Sequence, residues 1–186
     1  MRSVLSGAYP SLAEAEVVVL DKLTYAGCEV NLAPVADSPR LRFVRGDICD
    51  RDTVEGVLAG AEAVVHFAAF KAVGESTTQP LRYYRNNLGG LVTLCEVMQA
   101  QGCQQLVYSS SATVYGVPDR LPIVEDSPLS ATNPYGQTKL MGETILRDLG
   151  AADARWQTAC LRYFNPVGAH ASGLIGEDPQ GTPNNL

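Results

Sequence analysis

Short, continuous apolar runs that end in polar residues recur along the sequence, and helix-forming stretches separate them. The clearest run is Val17–Asp21, in which four apolar residues precede an acid. Continuous rather than alternating hydrophobicity is typical of strands that are buried on both faces, as in parallel sheets. We therefore predict a parallel α/β fold with strands at residues 17–21, 41–45, 63–67, 105–109 and 158–163.

Helices are predicted between these strands. Asp50 can cap a helix that runs through residues 54–58 before Gly60 ends it. A long helix is predicted over residues 80–101, and another over residues 134–149. Strands that alternate with helices in this way are the pattern of a parallel sheet with helical connections.

The segment Asn133–Lys139 places two chemically useful residues at the start of the last predicted helix. Asn133 is a favourable N-cap and Pro134 a favourable first helical residue. Tyr135 and Lys139 are four residues apart and therefore share one helix face. An ammonium beside a phenol lowers the phenol pKa from its usual value of about 10, so such a Tyr can take a proton from an alcohol and return it. The alternative is two side chains that merely share a solvent-exposed face.

Hydroxyl residues end the predicted strand that precedes this helix. The run of residues 106–116 reads as a short buried strand followed by Ser109, Ser110 and Ser111. In open α/β sheets, ligands bind just outside the carboxyl ends of the strands. Ser111 is thus placed to hydrogen-bond the hydroxyl that Tyr135 deprotonates. The alternative is a serine that bonds the backbone of its own turn.

Five segments carry a family pattern: His66–Ser76, Ser109–Gly116, Asn133–Lys139, Leu161–His170, and Gly176–Gly181 leading to Asn184–Leu186. In this order and spacing they resemble the extended short-chain dehydrogenase/reductase family and, within it, the UDP-glucose 4-epimerases. The resemblance implies a Rossmann-like doubly wound parallel sheet with NAD as the cofactor. It also implies 4-epimerisation of a UDP-hexose through a 4-keto intermediate.

The resemblance further implies a role for each matching residue. Tyr135 would remove the proton of the sugar 4-hydroxyl, Lys139 would lower the Tyr135 pKa and hold the nicotinamide ribose, and Ser111 would orient the hydroxyl. The implied cofactor-binding residues are Asp21, Lys22, Asp47, Ile48, Phe67, Ala68, Ala69, Lys71, Asn86, Tyr135, Lys139 and Phe164. The implied substrate-binding residues are Lys71, Ser111, Tyr135, Asn165, Asn185 and Leu186.

The front third of the sequence has a different resemblance. Its segments Leu20–Gly27, Asn31–Leu32 and Leu41–Ile48 are similar to dTDP-glucose 4,6-dehydratases. Asp21 ends its strand where a carboxylate can accept a hydrogen bond from a ribose hydroxyl, which favours NAD over NADP. An ordinary turn-starting aspartate is an equally good interpretation of Asp21.

Residues 1–16 match neither the first strand nor the glycine-rich turn of the resembled family. We therefore expect a Rossmann-like sheet that lacks both elements, and a chain truncated at both ends. The expected domains are an NAD-binding domain over residues 1–164 and the beginning of a substrate-binding lobe over residues 165–186. Without the first strand, two interior strands would each lack a neighbour.

The sequence leaves two alternatives to epimerisation. A 4,6-dehydratase needs an additional acid and base, and the resembled enzymes usually carry them directly after the hydroxyl residue. Ala112 and Thr113 occupy those positions, and neither can serve as an acid, so dehydration is disfavoured. The second alternative is a non-catalytic fragment with an NAD-binding-like fold, because a missing pyrophosphate loop and substrate lobe would remove ligand contacts.

The composition limits the cellular compartment and the kinds of binding partner expected for the protein. The net charge of −6 without a basic stripe argues against nucleic acid as a partner. No apolar run approaches the roughly 20 residues of a membrane helix, so we expect a cytoplasmic protein with no membrane span. The five cysteines form no C-x-x-C pair and no cluster with histidine, so no metal site is predicted. The helices that start near Pro80 and Pro134 resemble those that pair in homodimers of the family.

Overall fold

A computed structural model describes residues 1–25, 27–168 and 173 of the chain. These residues divide into two compact units. The front unit contains residues 1–47 and the described residues after 166, and the central unit contains residues 48–166.

The front unit is built on two parallel strands, β1 (Val17–Asp21) and β2 (Leu41–Arg45), as predicted. The strands pair in register from Val17 opposite Leu41 to Asp21 opposite Arg45. A short helix, α1 (Arg2–Leu5), precedes β1, and a 3-10 segment (Glu29–Val35) lies between the strands. Arg40 fastens the start of the chain, because its guanidinium donates to the Leu5 carbonyl at 2.8 Å and to the Ala15 carbonyl at 3.1 Å.

The central unit contains a second parallel sheet with the strand order β3–β4–β5. Its strands are β3 (Val64–His66), β4 (Gln105–Ser111) and β5 (Gln157–Tyr163), which confirms the predicted strands with shifts of one or two residues. Within the described residues, β1 pairs with β2 alone and β3 pairs with β4 alone. The described strands therefore form one two-stranded and one three-stranded parallel sheet.

Helices accompany this sheet. They are α2 (Arg51–Leu58), α3 (Val73–Thr78), α4 (Pro80–Tyr83), α5 (Gly90–Gln101) and α6 (Pro134–Ala152), with a π-helical turn over Tyr84–Gly89 between α4 and α5. The long helix predicted over residues 80–101 is therefore interrupted by a π turn. No described helix is both long and apolar enough to cross a membrane.

The predicted capping of α2 is correct in position but not in its bond. Asp50 occupies the N-cap position, yet its side chain makes no hydrogen bond to the helix backbone. It accepts instead from the hydroxyl of Thr53, at 2.6 Å between the two oxygens. The helix ends at Leu58, and Gly60 follows with a positive φ of 77°, which suits glycine at a helix end.

The core of the central unit lies between the sheet and helices α2, α5 and α6. Its fully buried side chains include Val54, Leu91, Met98, Leu106, Tyr108 and Leu146. Helix α6 comes close to β4 at Gly142, where an added Cβ would lie 2.3 Å from the Tyr108 hydroxyl oxygen. Only glycine at this position lets the helix pack directly over the tyrosine ring.

Candidate active site

The amino-terminal end of α6 holds the predicted Tyr135–Lys139 pair. The Asn133 side-chain oxygen accepts from the Gly136 amide at 2.8 Å, which confirms Asn133 as the N-cap. Tyr135 is partly exposed, whereas Lys139 is buried. The Lys139 Nζ lies 5.8 Å from the centroid of the Tyr135 ring. The structure therefore brings the phenol and the ammonium together. Because Lys139 is buried, the alternative of two side chains on one solvent-exposed helix face is wrong for Lys139.

Lys139 is held by the end of β4. Its Nζ donates to the Ser109 carbonyl at 2.7 Å and lies 5.1 Å from the centroid of the Tyr108 ring. Burial lowers the pKa of Lys139 to about 8, because desolvation disfavours the charged amine. This pKa still lies above neutrality, so the side chain remains mostly protonated at pH 7. The hydrogen bond to Ser109 uses only one of the three protons of an ammonium.

Ser111 is buried at the carboxyl end of β4, where the next residues form a 3-10 turn (Ala112–Tyr115). Its Oγ accepts from the Thr113 amide at 3.2 Å and from the Thr113 hydroxyl at 3.0 Å. The local interpretation of Ser111, a serine that bonds its own turn, is thus correct. It is compatible with a catalytic role, because a hydroxyl that accepts these bonds still carries its own proton.

Asn87 is a site residue that sequence reasoning missed. Its side chain is buried and makes a two-way clamp on Phe70, accepting from the Phe70 amide at 2.9 Å and donating to the Phe70 carbonyl at 3.0 Å. The same amide nitrogen donates to the Thr138 hydroxyl at 3.1 Å. Thr138 in turn donates to the Tyr135 carbonyl at 2.7 Å. Asn87 therefore joins the loop after β3 to the first turn of α6.

A signal for Asn87 was present in the sequence. Asn86 and Asn87 stand together inside a predicted helix, where asparagine is unfavourable unless it has a specific partner. The structure places both in the π turn, a distortion that is frequent at functional sites. The predicted cofactor contact Asn86 donates to the Asn87 side-chain oxygen at 2.9 Å. The sequence analysis predicted a role for Asn86 and missed Asn87, which makes the long-range contacts.

Aromatic residues lie at the carboxyl ends of β3 and β5, on the same edge of the sheet as Ser111. Phe67 is 62% exposed and Phe164 is 58% exposed. The Phe67 ring lies 6.3 Å from the Tyr163 ring, measured between centroids. Two further residues predicted to bind cofactor, Ala68 and Lys71, are also exposed, and Ala69 is half-buried. An exposed apolar edge next to the Tyr135–Lys139 pair can receive a planar ring.

His66 is buried at the end of β3 and stacks on Tyr108, with 5.7 Å between the ring centroids. Burial, together with the smaller effect of the nearby Lys139 charge, lowers the pKa of His66 to about 3. The imidazole is therefore neutral at pH 7. The Lys139 ammonium therefore lies over the ring of Tyr108, on which the neutral His66 stacks.

The front unit contains three of the predicted cofactor-binding residues. The Asp21 Oδ1 accepts from the Leu23 amide at 2.7 Å, so this carboxylate starts its own turn. Lys22 and Asp47 form an ion pair and are thus brought together. Ile48 is half-buried in the central unit, and its side chain lies close to Gly90.

The predicted substrate-binding residues divide between described and undescribed parts of the chain. Asn165 is exposed just beyond β5. Asn185 and Leu186 lie outside the described residues. Among the described residues, no cluster of histidine, cysteine, aspartate or glutamate could hold a metal ion.

The sequence matches the model of the NAD dependent epimerase/dehydratase family over residues 8–182. The chain belongs to this family. The match covers almost the whole chain and includes the front unit as well as the segment with Tyr135 and Lys139. The predicted parallel α/β fold with flanking helices is confirmed by this membership and by the solved structures described next.

Similar proteins are named UDP-glucose 4-epimerase. The Bacillus subtilis enzyme is 58% identical over 174 residues, which cover 92% of this chain and 51% of that protein. UDP-glucose 4-epimerase 2 of Arabidopsis thaliana is 58% identical over 149 residues, covering 79% of this chain and 43% of that protein. The chain thus spans about half the length of the curated relatives it matches. The match to the Bacillus enzyme is long enough to reach into the front third.

Among solved structures, UDP-glucose 4-epimerase from Bifidobacterium longum, in complex with NAD+ and UDP, aligns with a TM-score of 0.87 and 42% identity. That alignment covers 99% of this chain and 55% of the other. A dTDP-glucose 4,6-dehydratase from Streptomyces venezuelae aligns with a TM-score of 0.81 and 38% identity, covering 87% of this chain and 50% of the other. Both enzyme types that the sequence resembles therefore share its fold.

Proposed function

We propose that this chain contains the catalytic residues of an NAD-dependent epimerase that inverts the 4-hydroxyl of a UDP-hexose, interconverting UDP-glucose and UDP-galactose. The observation that carries the proposal is the placement of Lys139. Its ammonium lies beside the Tyr135 ring and is tied to β4 two residues before Ser111. The names of the relatives from Bacillus and Arabidopsis support the same activity.

NAD fits the residues of the central unit. The Lys139 ammonium has protons beyond the one given to Ser109, and they suit the hydroxyls of a nicotinamide ribose. The exposed rings of Phe67 and Phe164 suit the nicotinamide, and Asn86 stands in the π turn beside the clamp. In the front unit, Asp21, Lys22 and Asp47 are the residues proposed for the adenosine end. When bound, NAD supplies a hydride acceptor that also returns the hydride.

The chain's own residues would handle the proton. Tyr135, as a phenolate, accepts the proton of the sugar 4-hydroxyl and later gives it back to the same oxygen. Lys139 favours this phenolate because its positive charge lies close to the ring. Ser111 donates a hydrogen bond to the sugar 4-oxygen and so orients the hydroxyl. Lys71 and Asn165 are the described residues proposed to contact the UDP-sugar, together with Asn185 and Leu186.

A dehydratase activity is less well supported. Ala112 and Thr113 follow Ser111 directly, and the Thr113 hydroxyl is already engaged with the Ser111 oxygen. Eliminating water across two carbons needs an acid and a base in addition to the tyrosine. Neither residue supplies them, although a solved dehydratase shares the fold.

We propose that two copies of the chain associate through the outer faces of the helices that start near Pro80 and Pro134. These faces carry exposed apolar side chains, with Leu81 82% exposed, Met141 42% and Val92 41%.

The proposed domains are an NAD-binding domain over residues 1–164 and a substrate-binding segment over residues 165–186. The net charge of −6 supports a protein that does not bind nucleic acid, and the proposed location is the cytoplasm, away from membranes.

The test uses the purified full chain. It is denatured to release bound NAD for mass spectrometry, and a parallel sample is assayed for conversion of UDP-galactose to UDP-glucose. Bound NAD together with turnover would support the proposal, and in an active chain Tyr135→Phe should lose about 10²- to 10⁴-fold in rate while still binding NAD. Tyr9→Phe is the matched control, because Tyr9 is an exposed tyrosine of the front unit. A chain with neither NAD nor turnover would favour the non-catalytic alternative, and full activity in Tyr135→Phe would rule out Tyr135 as the base.

A further inference from the structure

An ion pair with no assigned role lies next to the catalytic residues. Glu143 in α6 and Arg162 in β5 form a bidentate ion pair. The Arg162 Nε lies 2.9 Å from the Glu143 Oε1, and the Arg162 Nη2 lies 2.8 Å from the Glu143 Oε2. Their side chains are 10% and 23% exposed, respectively. A bidentate pair that is largely buried has a fixed geometry, unlike an ion pair on the surface.

The same carboxylate also reaches β4. The Ser110 hydroxyl donates to the Glu143 Oε1 at 2.5 Å, and Ser110 is the strand neighbour of Arg162 in the β4–β5 register. Glu143 lies four residues after Lys139, so the two side chains share one face of α6. Consecutive residues of β4 are thus fastened to consecutive turns of α6: Ser109 to Lys139 and Ser110 to Glu143.

The guanidinium extends the network to the turn after Ser111. The Arg162 Nη1 donates to the Tyr115 hydroxyl at 2.8 Å and to the Glu125 carbonyl at 2.9 Å. Its central carbon also lies 5.0 Å from the centroid of the Tyr115 ring. Tyr115 ends the 3-10 turn that Ser111 caps. One half-buried cation therefore contacts both the helix that carries Tyr135 and the turn that holds Ser111.

We propose that Glu143 and Arg162 are positioning residues, which set the distance between Ser111 and the Tyr135–Lys139 pair by holding α6, β4 and the turn after β4 in one arrangement. The proposal rests on the proposed function for its catalytic consequence. Its structural consequence is independent of turnover, because the arrangement also keeps Lys139 buried against Ser109. Loosening it should admit water to Lys139.

The test variant is Glu143→Leu/Arg162→Met, which replaces the ion pair by apolar side chains. Such replacements of buried pairs often leave stability unchanged, whereas removing one partner strands a buried charge. We expect the double variant to melt within a few degrees of the wild type. Its kcat should fall about 10- to 100-fold with KM for the UDP-hexose changed less than about twofold, because a small misplacement is felt mainly in the reacting geometry.

A second measurement does not need turnover. The pKa of Lys139 is followed by competitive acetylation of the full chain between pH 6 and 11, with the labelled lysine quantified by mass spectrometry. In the wild type we expect a value near 8, and in the double variant a rise of about one unit or more towards the ordinary lysine value. The matched control is Glu55→Leu/Arg51→Met, which removes an exposed ion pair of the same chemistry in α2.

The two readouts separate the possible failures. A wild-type chain without turnover would refute the proposed function, and the positioning role would then be decided by the acetylation profile. A folded double variant with an unchanged Lys139 profile would overturn the positioning role. A double variant that unfolds is replaced by Ser110→Ala, which removes a single bond to Glu143. Retention of the wild-type Lys139 profile and kcat in that variant would also overturn the proposal.

Discussion

The front and central units contain parallel strands of similar composition, but they bury them to very different extents. In β1 every residue is half-buried or exposed, and Leu5 is the only described apolar side chain of the front unit that is buried. In β4 of the central unit, Leu106 and Tyr108 are 2% exposed. The difference follows from the elements around each sheet, because α5 and α6 cover the central strands.

This comparison shows that strand-forming sequence and buried core are separate properties. The run Val17–Leu20 is as apolar as the run Leu106–Tyr108, yet only in the second are side chains fully buried, with Tyr108 lying against α6 at Gly142. The catalytic candidates lie in the unit with the core. A site whose geometry depends on fractions of an ångström needs rigid support of this kind.

Lowering the pH should reduce the difference in stability between the two units more than either pair of substitutions described below. His66 in the central unit has a pKa of about 3, compared with 6.5 in an unfolded chain, so the unfolded state binds its proton first as the pH falls. Stability is therefore fully present above about pH 6.5 and is lost between pH 6.5 and 3, by about 5 kcal/mol for this shift. Hydrogen exchange of β3 and β4 amides, measured from pH 7 to 4 and corrected for intrinsic rates, should show the loss.

The control for this prediction is His66→Phe, which keeps a ring against Tyr108 and removes the titrating nitrogens. Its central unit should lose less protection over the same pH range. Lys139 is the charged group that acts on His66, and it stays protonated throughout, so it does not contribute its own titration there. Equal acid sensitivity in both proteins would mean that carboxylates, rather than His66, govern the response.

Matched leucine truncations should separate the units next. Leu91 is fully buried in α5, whereas Leu20 in β1 is only half-buried. Leu91→Ala should lower the free energy of unfolding by about 2 to 5 kcal/mol, and Leu20→Ala should lower it by less than half of that, because less apolar surface and no closed cavity are involved. Urea unfolding followed by far-UV circular dichroism gives both values. Similar losses for the two variants would break the comparison.

Much of the fold could be predicted because the relevant signals are local. The strands β1 and β4 were visible as apolar runs, and the N-cap of α6 followed from Asn133 and Pro134. Helical periodicity could not predict the π turn over Tyr84–Gly89, because an α-helix and a π-helix are compatible with nearly the same residues. Asn87 and the Glu143–Arg162 pair were missed for a different reason. Their partners lie 17 to 51 residues away along the chain, so only the folded structure reveals them.

The smallest expected effect concerns single methyl groups in two helices of the central unit. Gly142→Ala would place a Cβ 2.3 Å from the Tyr108 hydroxyl oxygen and 2.7 Å from its ring carbon, so α6 or β4 must move. We expect a loss of about 1 to 3 kcal/mol in the free energy of unfolding. Gly56→Ala in α2 meets no atom within 4 Å and should instead gain about 0.5 to 1 kcal/mol from its higher helix propensity. Because Tyr108 also lies under Lys139, Gly142→Ala should raise the Lys139 pKa as well. A destabilised variant with an unchanged acetylation profile of Lys139 would show that core packing and site geometry are independent here.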